Sequence, residues 1–211
     1  MSKDAVRDTK EEILQAALLL FAQKGPEGVS IREIAAQVGL RESSLYRHYP
    51  GKQALYQSVL TEMGRRCRVV AESLRLPQGD AAPAAELYRQ QGFDFLRRSC
   101  RALFLFYRQD VCAAAYFRLL TGEQLRGGPA GQAYRETLLA EPLAYYRALF
   151  ARLMEQGLFR GRDPGAMAMQ FYSPVLLLLS RYVDRPDGEL AALERHLDQF
   201  EAAYSLMPAG N

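Results

Sequence analysis

The stretch from Arg41 to Lys52 is rich in side chains that donate hydrogen bonds or carry positive charge, and none belongs to a catalytic motif. Its polar and basic members are Arg41, Glu42, Ser43, Ser44, Tyr46, His48 and Lys52. No acidic residue occurs from Ser43 to Thr61. Guanidinium, ammonium and hydroxyl groups bind phosphate oxygens and the edges of bases. The residue types therefore favour binding of a polyanion over covalent chemistry.

Two short helices and a turn must position these side chains. Ser30 and Glu33 form a capping-box pattern that predicts the start of the first helix. Gly39 supplies the positive φ that ends this helix and turns the chain. Pro50-Gly51 ends the second helix, and Lys52 opens a third. The pattern predicts a helix–turn–helix whose second helix presents small polar and basic side chains.

This segment resembles the DNA-binding domain of the TetR family of bacterial transcriptional regulators, over roughly residues 9–55. The motifs that carry the resemblance are Phe21 to Gly25, Ile34-Ala35, Gly39, Leu45-Tyr46-Arg47-His48-Tyr49, Lys52 and Leu55. The resemblance implies backbone contacts from Tyr46, His48 and Lys52, base-facing positions from Arg41 to Ser44, and a phosphate contact from Ser30. The expected DNA-binding residues are Ser30, Arg41, Glu42, Ser43, Ser44, Tyr46, His48 and Lys52.

Two positions depart from the family pattern. Arg41 stands where the family usually has Ser or Thr, and Ser43 where it often has Gly. Losing a good N-cap costs about 0.5–2 kcal/mol, whereas Arg is well suited to contact guanine O6 and N7. We therefore hypothesise that Arg41 reads a base or clamps a phosphate.

Composition argues against several other classes of protein. The chain has two histidines and three cysteines without CxxC spacing, and it lacks a phosphate-binding loop or nucleophile motif. We therefore expect no enzyme, no cofactor, no metal site and no disulfide framework. The N-terminus is charged without an apolar run, and the longest apolar run, Val175–Leu179, is too short for a membrane span. A cytoplasmic protein is expected.

Charge is concentrated near the predicted DNA-binding region. Residues 1–75 contain 12 Lys and Arg against 9 Asp and Glu, whereas residues 76–211 contain 15 of each. All the formal excess of positive charge therefore lies in the first third of the chain, where a phosphate backbone would be met.

The sequence predicts an all-α fold with two domains. Residues 1–52 would form a three-helix DNA-binding domain, and residues 53–211 a helical effector-binding and dimerisation domain, with the fourth helix connecting them. Beyond residue 84 the predicted helices are Ala84–Arg101, Asp110–Gln124, Gly131–Gln156, Asp163–Val183 and Gly188–Leu206.

Residues 84–211 of the second domain contain 18 of the 22 aromatic residues. Family resemblance implies that a small effector binds there and releases the protein from DNA. Aromatic walls would suit a mostly apolar ligand, with Tyr hydroxyls fixing its orientation. The candidate ligand-binding residues are Phe104, Tyr107, Tyr116, Phe117, Tyr146, Phe150 and Tyr172.

The last two predicted helices carry long apolar faces. The family pairs such helices across a two-fold axis, so a homodimer reading a palindromic operator is expected. The candidate interface residues are Phe171, Val175, Leu178, Leu179, Leu193, Leu197 and Phe200. Two alternatives remain: a redox-responsive regulator that uses Cys67, Cys100 or Cys112, and a helical interaction module that does not bind DNA.

Overall fold

The computed structural model describes residues 9–73, 80–181 and 187–207, and confirms the predicted all-α fold. An isolated β-bridge pairs Phe159 with Ser205. A π-helical segment, Tyr134–Ala140, joins α8 to α9. The helices are α1 (Thr9–Lys24), α2 (Ile31–Gln37), α3 (Glu42–His48), α4 (Lys52–Ser73), α5 (Ala82–Gln91), α6 (Phe93–Gln109), α7 (Val111–Gly122), α8 (Pro129–Ala133), α9 (Glu141–Glu155), α10 (Pro164–Ser180) and α11 (Asp187–Tyr204). The predicted helix end at Val183 lies outside the described residues.

The chain folds into two compact units. The first contains the described residues up to Arg65 together with Val111–Ala133, and the second contains the described residues of Arg66–Asp110 and those from Tyr134 onward. The first unit thus includes the first part of α4 and the whole of α7. The division into functional domains at residues 52 and 53 stays a prediction.

The first unit is a small helical core built around α1. This helix buries Ile13, Ala17, Leu18 and Phe21 almost completely, as its helical spacing predicts. The ring of Phe21 packs edge-on against Tyr56 of α4, with centroids 5.2 Å apart. Since α7 also packs on α1, the helix–turn–helix rests on a core larger than its own three helices.

The second unit has an aromatic core. Phe171 of α10 lies at its centre, with ring centroids 4.7 Å from Tyr146, 5.4 Å from Phe150 and 4.8 Å from Phe200. These four rings are all buried. They join α9, α10 and α11 through close aromatic packing of the kind that contributes strongly to core stability.

Two features of the second unit depart from the predicted helices. Gly92, with φ of +63°, ends α5 and divides the predicted helix Ala84–Arg101 in two. Pro142 lacks the N–H that would bond to the carbonyl of Leu138 in an α-helix, and the helix widens to a π-helix just before it. The Tyr172 hydroxyl donates to this Leu138 carbonyl instead, at 3.0 Å.

Candidate nucleic-acid interface and a cavity in the second unit

The first helix of the helix–turn–helix is capped as the sequence predicted. The Ser30 hydroxyl accepts a hydrogen bond from the Glu33 amide at 3.1 Å. The Glu33 carboxylate pairs with the Lys24 ammonium, which is the main reason that the pKa of this carboxyl is lowered. The backbone amide of Ser30 lowers it further. Both halves of the capping box therefore fix the start of α2.

The turn between α2 and α3 depends on Gly39. Its φ is +70°, in the left-handed region that disfavours other residues. The amide of Leu40 then bonds back to the Ala35 carbonyl at 2.8 Å. This closes the end of α2 and sets the direction in which α3 begins.

The third helix has one buried side and one exposed side. Leu45 is fully buried, and Tyr49, which follows the helix, is 4% exposed. Arg41 is the N-cap residue and makes no side-chain cap bond, so its exposed guanidinium is not engaged at the helix end. The exposed residues of this segment are Arg41, Glu42, Ser43, Tyr46, Arg47 and His48, with Ser44 half-buried.

Arg47 was not among the predicted DNA-binding residues, yet it lies on this exposed surface. Its guanidinium donates to the Ser44 hydroxyl at 3.2 Å. Helical spacing could have identified Arg47 from the sequence. Residues three and four positions apart share a helix face, and Ser44 and Ser43 precede Arg47 by three and four positions.

Lys52 has a partner within the first unit. Its ammonium donates to the carbonyl of Pro26 at 3.0 Å and lies 4.0 Å from the Glu27 carboxylate. It therefore fastens the start of α4 to the loop between α1 and α2. An ammonium has three donors, so a phosphate contact by Lys52 is compatible with this arrangement and stays a prediction.

A cavity of about 60 Å³ lies within the second unit. Its lining includes the polar residues Thr137, Glu141 and Arg68 among largely apolar walls. This is room for a few waters, so a larger ligand requires the walls to move apart. The lining residues are Cys67, Arg68, Ala71, Leu103, Phe106, Tyr107, Thr137, Leu138, Glu141, Pro142 and Tyr172.

Of the seven predicted ligand-binding residues, Tyr107 and Tyr172 line this cavity. Tyr146 and Phe150 belong to the aromatic core, and Phe104 is fully buried. Tyr116 and Phe117 belong to the first unit, where the Tyr116 hydroxyl faces the Leu60 carbonyl at 3.5 Å. Aromatic composition indicated the region but not which rings border a space. Ligand binding by these residues stays a prediction.

The predicted interface residues of α10 and α11 are buried inside the single chain. The least buried of them, Leu178, is 7% exposed. Apolar periodicity therefore identified the faces that α10 and α11 pack into their own core. A role in a dimer interface stays a prediction for Phe171, Val175, Leu178, Leu179, Leu193, Leu197 and Phe200.

The three cysteines are free thiols. Cys100 is 1% exposed, and burial raises its pKa to about 12, so its thiolate is scarce near neutral pH. The neighbouring Arg98 and Arg101 are exposed and do not offset this burial. A redox role is therefore least favourable at Cys100. Cys67 is buried, and Cys112 is partly exposed.

Within residues 9–73, 80–181 and 187–207, no helix is long and apolar enough to cross a membrane. Across the same ranges, no group of three or more His, Cys, Asp or Glu side chains is placed to hold a metal ion. Two helices joined by a glycine turn, the second with an exposed polar and basic side, form a helix–turn–helix, the motif that many DNA-binding proteins place in the major groove.

Comparison with known proteins shows what the chain resembles. The sequence model for bacterial regulatory proteins of the tetR family matches residues 13–59. This segment, which contains the helix–turn–helix, is therefore similar to the DNA-binding domain of the tetR family. The nucleoid occlusion factor SlmA from Escherichia coli and from Klebsiella pneumoniae is 40% identical over 57 residues. That alignment covers 26% of this chain and 29% of the relatives' length.

Solved structures share the fold along nearly the whole chain. A TetR-family regulator from Mesorhizobium loti has a TM-score of 0.65 at 23% identity, covering 93% of this chain and 96% of its own. SmeT, the repressor of the Stenotrophomonas maltophilia efflux pump SmeDEF, has a TM-score of 0.63 at 21% identity, covering 94% and 91%. AibR in complex with isovaleryl coenzyme A and operator DNA has a TM-score of 0.61 at 22% identity, covering 92% and 97%. Family and fold are those of transcriptional regulators.

Proposed function

We propose that this protein is a dimeric, cytoplasmic transcriptional repressor that binds a palindromic operator and is released from it by a small, mostly apolar molecule. The observation that carries the proposal is the division of α3 into a buried side and an exposed side. Leu45 and Tyr49 anchor the helix, and the side chains left outside are mainly hydroxyl-bearing and cationic. This is the surface that a major groove accepts.

The local charge supports DNA as the partner. The acid-free stretch from Ser43 to Thr61 contains α3 and the start of α4, where Tyr46 is 48% exposed. Phosphate contacts position a protein on DNA, whereas contacts to base edges give specificity. In the proposed complex, Tyr46, His48, Lys52 and Ser30 contact the backbone, and Arg41 to Ser44 face the bases.

Dimerisation is proposed through the exposed faces of α10 and α11. Met169 and Leu177 of α10 are 59% and 63% exposed. On α11 the exposed residues include Ala191, Arg195 and Ala202, at helical spacing. A two-fold axis would place the same patch of each copy against the other. One short recognition helix reads few base pairs, whereas a dimer reads two half-sites about 34–36 Å apart.

Effector control is proposed through the cavity of the second unit. Solved proteins of the same fold include AibR with isovaleryl coenzyme A and operator DNA, so a ligand and DNA are both known for a protein of this fold. The effector must bind the DNA-competent and DNA-incompetent arrangements with different affinities, because otherwise it cannot shift their populations. The volume of the cavity implies that its walls separate on binding.

Selection from a library of random DNA duplexes tests the proposal. The chain is expected to enrich a palindromic sequence, and affinity for it should fall steeply with salt because bound phosphates release counterions. Enrichment of no sequence, together with salt-independent affinity, would instead support a helical interaction module. If no small molecule alters affinity for the enriched sequence, the effector-controlled part of the proposal is wrong.

The Arg41 hypothesis is tested on the same sequence. If Arg41 clamps a phosphate, Arg41→Ala weakens binding to every duplex equally and reduces the salt slope by about one. If Arg41 reads a base, the variant loses preference at one position of each half-site.

A further inference from the structure

The side of α3 opposite its buried anchor is occupied by Arg47. Successive helical residues are about 100° apart, so Arg47 lies about 200° from Leu45 around the helix. Leu45 is fully buried and Arg47 is exposed. Ser43 is equally far from Leu45 in the other direction and is also exposed. Arg47 therefore projects from the part of α3 that is farthest from the core of the first unit.

A neighbouring hydroxyl holds the Arg47 side chain. Its Nη2 donates to Ser44 Oγ at 3.2 Å, one turn earlier on the same helix. A free arginine loses considerable rotamer entropy when it binds, and this bond removes part of that freedom beforehand. Because a guanidinium has five N–H donors, four remain for a ligand after this one is used.

The partner of Arg47 differs in kind from the carboxylate partners of three other cations in the first unit. Ser44 is neutral, so the bond directs the guanidinium without neutralising its charge. Other cations of this unit are paired with carboxylates: Lys24 with Glu33, Arg65 with Glu62, and Arg126 with Glu123. Arg47 therefore keeps an oriented positive charge, which suits a ligand with acceptor atoms.

We propose that Arg47 reads a guanine edge in each operator half-site and that Ser44 is its positioning residue. The inference rests on the proposed DNA-binding function and adds a specificity-determining residue to it. Guanine presents O6 and N7 side by side in the major groove, and the planar fork of arginine contacts both at once. Ser44, which faces the bases in the proposed complex, thereby also orients Arg47.

The test measures affinity for the selected operator and for its single base-pair variants. In the wild-type chain, replacing the contacted G·C pair of one half-site with A·T should weaken binding by about 10- to 100-fold. In Arg47→Ala the same base-pair replacement should weaken binding by less than about 3-fold, while the preferences at the other operator positions persist. Arg162→Ala is the matched control, since Arg162 is an exposed arginine of the second unit.

Ser44 variants test the positioning role. Ser44→Ala should retain the preference for guanine but reduce the discrimination by about 3-fold, because the arginine is no longer oriented before binding. Ser44→Thr retains the hydroxyl and should restore the discrimination. If Ser44→Ala discriminates as well as the wild-type chain, the positioning role is wrong.

Other outcomes separate this inference from the proposed function. If Arg47→Ala weakens binding to all duplexes equally and reduces the salt slope by about one, Arg47 binds a phosphate and the inference is overturned. The inference is also overturned if Arg47→Ala retains every base preference of the wild-type chain. If the wild-type chain itself prefers no sequence, the proposed function fails, and the inference fails with it.

Discussion

The exposed side of α3 and the aromatic core of the second unit show how differently sequence relates to structure in two regions of one chain. Around α3 each feature depends on neighbours in the sequence: Ser30 caps through Glu33, three residues away, and Gly39 turns the chain by its own φ. In the aromatic core, the partners of Phe171 come from two other helices, α9 and α11. The roles of local motifs can therefore be recognised from the sequence. The roles of core rings depend on packing between residues that are distant in the sequence.

The largest expected effect comes from the aromatic core. Phe171→Ala removes a fully buried ring from between Tyr146, Phe150 and Phe200, and should lower the free energy of unfolding by about 3–5 kcal/mol. Urea denaturation measures it, with the exposed Gln156→Ala as a control that should stay within about 0.5 kcal/mol. A loss below 1 kcal/mol would show that this ring is not a central part of the core.

The buried and exposed sides of α10 can be compared directly, because Phe171 lies on the buried side and Leu177 on the exposed side. Leu177→Glu places a carboxylate on the exposed side and should weaken dimerisation by about 10-fold or more, because burying an unpaired charge in an interface is costly. Its unfolding free energy, corrected for dimerisation, should hardly change. Sedimentation equilibrium measures the association. Unchanged self-association in this variant would place the interface elsewhere.

The Tyr172 hydroxyl contributes a buried hydrogen bond at the wall of the cavity, and its removal tests how much that bond stabilises the fold. Tyr172→Phe removes the donor to the Leu138 carbonyl, a bond of 3.0 Å in a buried setting. The variant should lose about 1–3 kcal/mol of unfolding free energy, because that carbonyl is left unsatisfied. Thermal unfolding measures the loss. Wild-type stability would mean that another donor, such as a water, satisfies the carbonyl.

The helix cap should give the smallest effect. Ser30→Ala removes the acceptor for the Glu33 amide and should cost about 1 kcal/mol of unfolding free energy. Ser30→Asp retains an acceptor at the cap and should recover most of it. Guanidinium chloride denaturation measures both variants. Equal losses for Ala and Asp would indicate that the cap contributes little.

The regions also differ in how far the sequence could predict them. The Ser30 cap and the Gly39 turn were predicted correctly, because short-range chemistry determines them. The break at Gly92 was missed, since an isolated glycine within a helical pattern is ambiguous.

The predicted interface and the overlooked arginine both show what the sequence leaves open. Hydrophobic spacing reports which side of a helix is buried without saying what covers it, so it could not show that residues such as Leu197 pack within their own chain. Arg47 was overlooked because its significance depends on the Ser44 contact and on the direction of Leu45. Neither the partners of the buried faces nor the role of Arg47 can be derived without the packing of the helices.

The proposed role of the exposed side of α3 in binding DNA is best tested by the operator affinity of Ser43→Glu. Ser43 is exposed opposite the buried Leu45, and a carboxylate there would face the phosphates and acceptor-rich base edges. This variant should bind at least about 100-fold more weakly at unchanged stability, whereas Gln156→Glu in the second unit, with the same change of charge, should bind like the wild-type chain. Wild-type affinity in Ser43→Glu would mean that this side of α3 does not bind DNA.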